Sequence, residues 1–231
     1  MLQPGNSKLG NIHTFSLPPC ITCPGETEVC AANCYGKKGH FRRSNVKSSH
    51  AANHKAVKKD NFVSKMVDEI QRKNVKTLRI HVTGDFFDAP YIRKWIAVAE
   101  QCPDVTFYAY TRSWRIKRLM PALTDFNALP NTKLWWSVDE DTHEIDGKPP
   151  TLKGVRSAYM QTSDDEVVPA YCDMVLRTKR ATLVRFTSGR LVCPGENGMT
   201  YKRKMTCERC RICQTDKKVP RKARTRKKVN A

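Results

Sequence analysis

Eight of the ten cysteines fall into two sets of four. The first set is Cys20-x2-Cys23-x6-Cys30-x3-Cys34, and the second is Cys193-x13-Cys207-x2-Cys210-x2-Cys213. The tetrapeptide Cys-Pro-Gly-Glu occurs once in each, at Cys23 and at Cys193. Four thiolates close a tetrahedral zinc site or hold a cubane iron–sulfur cluster. Structural zinc favours two paired C-x2-C hooks, and neither set has two. The second set combines C-x2-C-x2-C with a remote Cys-Pro, a pattern that holds cubanes in bacterial ferredoxins. The spacing therefore predicts one or two [4Fe-4S] clusters on these eight cysteines, with zinc as the alternative. The first set separates the two metals less sharply. The remaining pair, Cys102 and Cys172, reads as small buried hydrophobes.

The charge balance points the same chemistry toward a polyanion. The chain has 231 residues, 42 Lys and Arg against 22 Asp and Glu, and a formal charge of +20. Such a balance predicts a nucleic-acid partner. The candidate contacts are Lys37, Lys38, Arg42 and Arg43 beside the first thiol set, and Lys202, Arg203 and Lys204 within the second. Arg221, Lys222, Arg224 and Arg226 follow in a basic tail over 216–231, which reads as disordered. No apolar run reaches the roughly 20 residues of a membrane span, and no secretory signal is visible. The reading is cytoplasmic, with reduced thiols and no membrane partner.

Something must position two thiol sets so far apart in sequence. Residues 1–215 read as a single domain of ordinary size. Residues 1–19 read as an extended lead-in. Asp60 is placed to cap a helix with Phe62, Val63, Met66, Val67 and Ile70 on one face. Alternation predicts strands at 77–83, 105–111, 132–138, 155–161 and 182–188, with a helix at 91–101 and a short one at 115–123 interrupted by Pro121. Strands alternating with helices predict an α/β fold: a parallel sheet or partial (β/α) barrel, flanked by cysteine-rich terminal segments. Each predicted strand ends in small polar or charged residues. A strand-end site is thus expected around Asp85, Arg112 and Asp139, since ligands in such folds lie at the carboxyl ends of strands.

Other chemistry is weaker. Residues 139–146 (DEDTHEID) read as a solvated acidic loop. His50 and His54 stand four apart among basic residues, which suits phosphate contact or solvation better than a metal. Trp114, beyond a strand end, is the aromatic expected to be exposed for base stacking. There is no Walker loop, no G-x-G-x-x-G and no G-x-S-x-G.

The block GNSKLGNIHTFSLPPCITCPGETEVCAANCYG resembles the opening of a phage and plasmid family known as gene product 88. The middle, HVTGDFFDAPYIRKWIAVAEQCPDVTFYAYTRSW, and the closing Cys-Pro with its cysteine triplet are similar to that family too. The resemblance spans about residues 5 to 215 and implies a mobile-element protein. A more distant likeness is to the radical S-adenosylmethionine enzymes. These too place an N-terminal cysteine motif before a partial α/β barrel, and some add an auxiliary cluster in a C-terminal extension. Their C-x3-C-x2-C motif is incomplete here: Cys30-x3-Cys34 is present, but no cysteine follows two residues on. An open iron for S-adenosylmethionine then requires that Cys20 stay out of the cluster.

The sequence thus reads as an iron–sulfur protein of a phage or plasmid acting on or near nucleic acid. The alternatives are a radical S-adenosylmethionine-type enzyme with an auxiliary C-terminal cluster, and a zinc-stabilised nucleic-acid module. Whether it catalyses a reaction, and its oligomeric state, are not fixed at this level.

Overall fold

A computed structural model describes residues 1–178, 185–195 and 205–221. Lys202, Arg203, Lys204, Lys222, Arg224 and Arg226, the first half of the strand expected at 182–188 and most of the basic tail lie outside the described residues.

The described chain forms a sheet of eight strands. These are β1 (His13–Phe15), β2 (Thr77–Ile80), β3 (Thr106–Thr111), β4 (Thr132–Val138), β5 (Arg156–Gln161), β6 (Met174–Arg177), β7 (Phe186–Thr187) and β8 (Arg190–Val192). Their order is β1-β2-β3-β4-β5-β6-β8-β7, with β1 and β7 as the end strands, so the sheet is open; Gln3 adds one antiparallel bridge to Thr14 on the outer edge of β1. All neighbours are parallel except the terminal β8–β7 hairpin. The expected mostly parallel α/β sheet is present.

Parallel strands need crossovers, and helices supply them from β1 through β5. They are α1 (Glu28–Asn33), α2 (Ser44–Val57), α3 (Phe62–Arg72), α4 (Ala89–Gln101), α5 (Met120–Ala128) and α6 (Glu140–Ile145); a short helix α7 (Cys207–Cys210) follows the last strand. Alternation along each strand sorts side chains to two faces. Leu78, Ile80, Phe107, Ala109, Leu134, Trp136, Tyr159, Val175 and Val192 join the main core with Phe62, Met66 and Ile70 of α3, Ile92 and Trp95 of α4, and Leu123 and Phe126 of α5. Their alternates, Tyr110, Trp135, Ala158, Met174 and Leu191, face the other way. That face receives no large helix. The C-terminal thiol segment covers it, with Leu9 and Ile12 of the lead-in packing on Tyr108.

Several local expectations are corrected. The lead-in is not merely extended: residues 13–15 pair with β2 as an edge strand. Pro121 opens α5 rather than interrupting it, because the first turn needs no proline N–H. Asn61, not Asp60, occupies the N-cap of α3, without a side-chain bond. The acidic stretch at 139–146 is largely helix α6, started by a capping box on Asp139 and Thr142. The sixth strand is Met174–Arg177, and the described part of the strand expected at 182–188 supplies the antiparallel edge β7. Ser188 and Gly189, with φ of 47° and 73°, form a hairpin turn there, not a parallel strand end.

Candidate functional site

The first thiol set follows β1 directly, so it lies at the carboxyl edge of the sheet, and the sequence around it makes its own scaffold. Thr27 caps α1: its hydroxyl accepts from the Cys30 amide at 2.9 Å and donates to Asp139 Oδ2 at 2.7 Å. The Val29 amide donates to Asp141 Oδ2 at 2.9 Å. Arg112, just past β3, donates from Nη1 to Cys30 Sγ at 3.2 Å and pairs through Nη2 with Asp139 Oδ2 at 2.9 Å. Its amide reaches Asp85 Oδ2 at 2.8 Å, and the Asp85 amide donates to the Thr22 carbonyl at 3.0 Å. Gly25 lies flat on this edge: a Cβ there would stand 2.2 Å from the Arg112 carbonyl oxygen, so no side chain fits.

The three expected strand-end residues are therefore brought together by β2, β3 and β4, and their partner is the first thiol segment. Asp139 is wholly buried and fully used as ion pair, helix cap and anchor of Thr27. Asp85 is buried beside Cys23, and burial raises its carboxyl above the ordinary range.

Burial also governs the thiols. It pushes Cys23 up, helped by the Asp85 charge, and pushes Cys30 up against the pull of Arg112. Cys20 is raised to about 11 by burial and by a hydrogen bond to Glu26, with Lys37 acting the other way. Cys34 adds to the repulsion at both Cys20 and Cys30. Neighbouring thiols that resist ionisation become good ligands once a cation supplies the missing positive charge.

The second set spans the uncovered face. Cys193 follows β8, and Cys207, Cys210 and Cys213 lie in and just after α7. All four line one cavity, with Met174 and Ile212 as its apolar wall. The Tyr110 hydroxyl donates to Cys213 Sγ at 2.8 Å, and the Trp135 indole N–H donates to the Cys213 carbonyl at 3.2 Å. Arg156 stacks on Trp135 and binds the Ile212 and Thr215 carbonyls at 2.7 Å each. Burial raises Cys213 to about 11, opposed by Tyr110 and increased by Cys207 and Cys210. Arg79 lies over the Tyr110 ring at 5.4 Å. The far end of the chain ties back to the lead-in: the Cys207 amide donates to the Lys8 carbonyl at 2.8 Å, and Glu208 binds Asn11.

In kind, the two sets have what sulfur-ligated iron requires: each has four thiols, and each has a polar donor aimed at a sulfur, Arg112 at Cys30 and Tyr110 at Cys213. Among the described residues no three Cys, His, Asp or Glu side chains meet closely enough to share one ion. A tetrahedral zinc site would draw its sulfurs to about 4 Å from one another.

Of the expected basic contacts, Lys37, Lys38, Arg42 and Arg43 are exposed, and none pairs with a carboxylate among the described residues. Arg221 is exposed but paired with Asp173 at 3.1 Å. Cys102 and Cys172 are buried, as expected. His50 is not solvated: it is buried in α2, 3.4 Å from the Thr83 hydroxyl. Trp114 is not exposed either. A 3-10 turn folds it inward, and its indole donates to the Ser137 carbonyl at 3.1 Å. The sequence does not mark Thr27, Asp141, Tyr110 or Arg79 as site residues; of these, Thr27 alone carries a local signal, as a helix cap three residues before Cys30.

An open, mostly parallel sheet with its main helices on one face, one cysteine segment at its carboxyl edge and another packed on the opposite face defines a mixed α/β protein. The chain belongs to the gene product 88 family, whose model matches residues 2–216. It is 31% identical over 172 residues to the Gene 88 protein of Mycobacterium phage L5, covering 69% of this chain and 70% of that one. It is 27% identical over 231 residues to the Gene 88 protein of Mycobacterium phage D29, covering 93% of this chain and 88% of that one. No solved structure matches the chain. No described helix is long and apolar enough to cross a membrane.

Proposed function

We propose that this protein is an iron–sulfur protein that acts on nucleic acid at the carboxyl edge of its sheet. The observation that carries the reading is the placement of the first thiol set. The first thiol segment lies where parallel sheets present their ligands, with Arg112, Asp139 and Thr27 arranged around Cys30. The segment that leaves this site, residues 37–59, contains no acidic residue. Bound clusters would supply electron transfer or Lewis acidity; the chain itself would bring the polyanion to them through Lys37, Lys38, Arg42 and Arg43.

Protein prepared without air is expected to be brown and to contain iron and acid-labile sulfide. It is expected to bind a DNA or RNA oligonucleotide with strong salt dependence. Exchanging those four basic residues for glutamine should flatten the salt slope by roughly 3 for a single strand. A colourless protein carrying stoichiometric zinc and no sulfide would instead establish the zinc-stabilised module.

A second reading is favoured by one feature, the separateness of Cys20. It has a left-handed backbone with φ of 64°, and its thiol is engaged by Glu26 and Lys37 rather than by the strand-end residues. A cluster held by Cys23, Cys30 and Cys34 would keep one iron free for S-adenosylmethionine, as in the radical enzymes. Cys20→Ala is then expected to retain the first cluster's iron, while Cys30→Ala loses it. If Cys20→Ala bleaches that cluster to the same extent, the site is saturated and this reading falls.

A further inference from the structure

Between the first thiol set and α2 the chain makes two short 3-10 turns, Tyr35–Lys37 and Gly39–Arg42. Three rings gather there. Tyr35 and Phe41 have centroids 5.7 Å apart, and His40 and Phe41 have theirs 4.0 Å apart with planes inclined at 35°. Tyr35 is 48% exposed, one of the few large apolar side chains so exposed among the described residues, and His40 is exposed beside it. Most aromatic rings in this protein are in the core, so an open group needs a reason.

The turns hold the rings in place. The Lys38 amide donates to the Tyr35 carbonyl at 3.0 Å, Phe41 to Lys38 at 3.3 Å, and Arg43 to His40 at 3.1 Å. Gly39 joins the turns with φ of +54°, a conformation that favours glycine. The Tyr35 hydroxyl anchors to the Val82 carbonyl at the carboxyl end of β2, and Phe41 leans on buried His50. Lys37, Lys38, Arg42 and Arg43 neighbour the rings in sequence, and all four are exposed. Two exposed rings and the half-buried Phe41, beside cations without a carboxylate partner among the described residues, are what a single strand recognises: bases stack, and phosphates find charge. A duplex hides its base faces and would use only the charge.

We infer that Tyr35, His40 and Phe41 form a stacking platform for unpaired bases of a single-stranded nucleic acid, which brings the strand next to the first thiol set. The inference rests on the nucleic-acid reading above and specifies its mode. The rings supply sequence-tolerant affinity per base, and the four cations supply the salt-dependent part.

The test compares two probes on the full chain prepared without air: a short thymidine oligonucleotide and an abasic oligonucleotide of equal length and charge. The wild type is expected to bind the base-bearing probe more tightly, by roughly fivefold to a hundredfold. Phe41→Leu should remove most of that preference and leave the salt slope unchanged. Replacing Lys37, Lys38, Arg42 and Arg43 with glutamine should weaken both probes alike and flatten the slope. Equal wild-type affinity for the two probes, or tighter binding of a duplex, overturns the platform while the nucleic-acid reading stands. Failure of the wild type to bind any of them at low salt overturns both. The comparison of probes on the wild type decides the matter even if Phe41→Leu does not fold.

Discussion

Asp139→Ala is expected to destabilise the fold by about 3–5 kcal/mol, read as a fall in the denaturant midpoint at unchanged slope. The carboxylate is wholly buried, so its loss leaves the Arg112 guanidinium, 12% exposed, without its counter-charge. It also removes the cap of α6 and the acceptor for the Thr27 hydroxyl. Breaking a buried pair from one side costs more than the pair is worth, because the remaining charge cannot reach water. Two controls separate the contributions. Asp139→Asn keeps a capping oxygen and should recover the part that belongs to helix α6. Arg112→Met combined with Asp139→Ala should cost less than the two single changes together, because the stranded charge is gone. Additive costs would show that Arg112 is not held by this pair.

The second large effect is on acid stability. His81 is 2% exposed; its Nε2 meets the Tyr91 hydroxyl at 2.7 Å, and its Nδ1 is buried without a partner. Burial, aided by the positive charge of Arg79, pushes its pKa from 6.5 down to about 3. The direction of the linkage follows. Between these values the unfolded chain takes a proton that the folded one refuses, so stability is intact above pH 6.5 and falls as the pH drops toward 3. The loss from this one residue is about 2 kcal/mol by pH 5 and about 5 kcal/mol when complete. His50, whose pKa is also lowered by burial, acts in the same direction. Asp85, raised by burial, acts against it. His81→Asn suits the left-handed backbone, φ of 64°, and should flatten the stability curve between pH 6.5 and 5 relative to the wild type. Parallel curves would mean that His81 accepts its proton within the fold.

Much of the frame was legible because it is written locally. β4 was read to the residue: Asn131 and Pro130 break the chain before it, and its apolar run is long. α4 carries its own cap in Asp88 and a proline in its first turn. The missed strands are short. Met174–Arg177 has four residues and no clear alternation, and residues 13–15 become a strand because β2, more than sixty residues later, offers an edge, with Gln3 bridging Thr14 on the other side. Asp85, Arg112 and Asp139 could be named because each closes a strand. What they hold could not, since their meeting with Thr27 and Cys30 depends on strand order. The burial of Trp114 depends likewise on the Ser137 carbonyl of a neighbouring strand. The Tyr110 contact to Cys213 joins residues 103 positions apart, a distance no periodicity spans.

The bonds that tie Cys207 and Glu208 to Lys8, Leu9 and Asn11, 197 or more positions apart, set a timetable for synthesis. The first thiol set can be gripped once Asp139 and Asp141 have left the ribosome. The second cannot exist until Cys213 has followed, on the order of 4–14 s later at roughly 5–20 residues per second. During that interval Tyr110, Trp135 and Met174 face water on an uncovered sheet, a surface that invites other chains. A chain cut short before residue 205 is therefore more than a shortened protein: it carries an adhesive face.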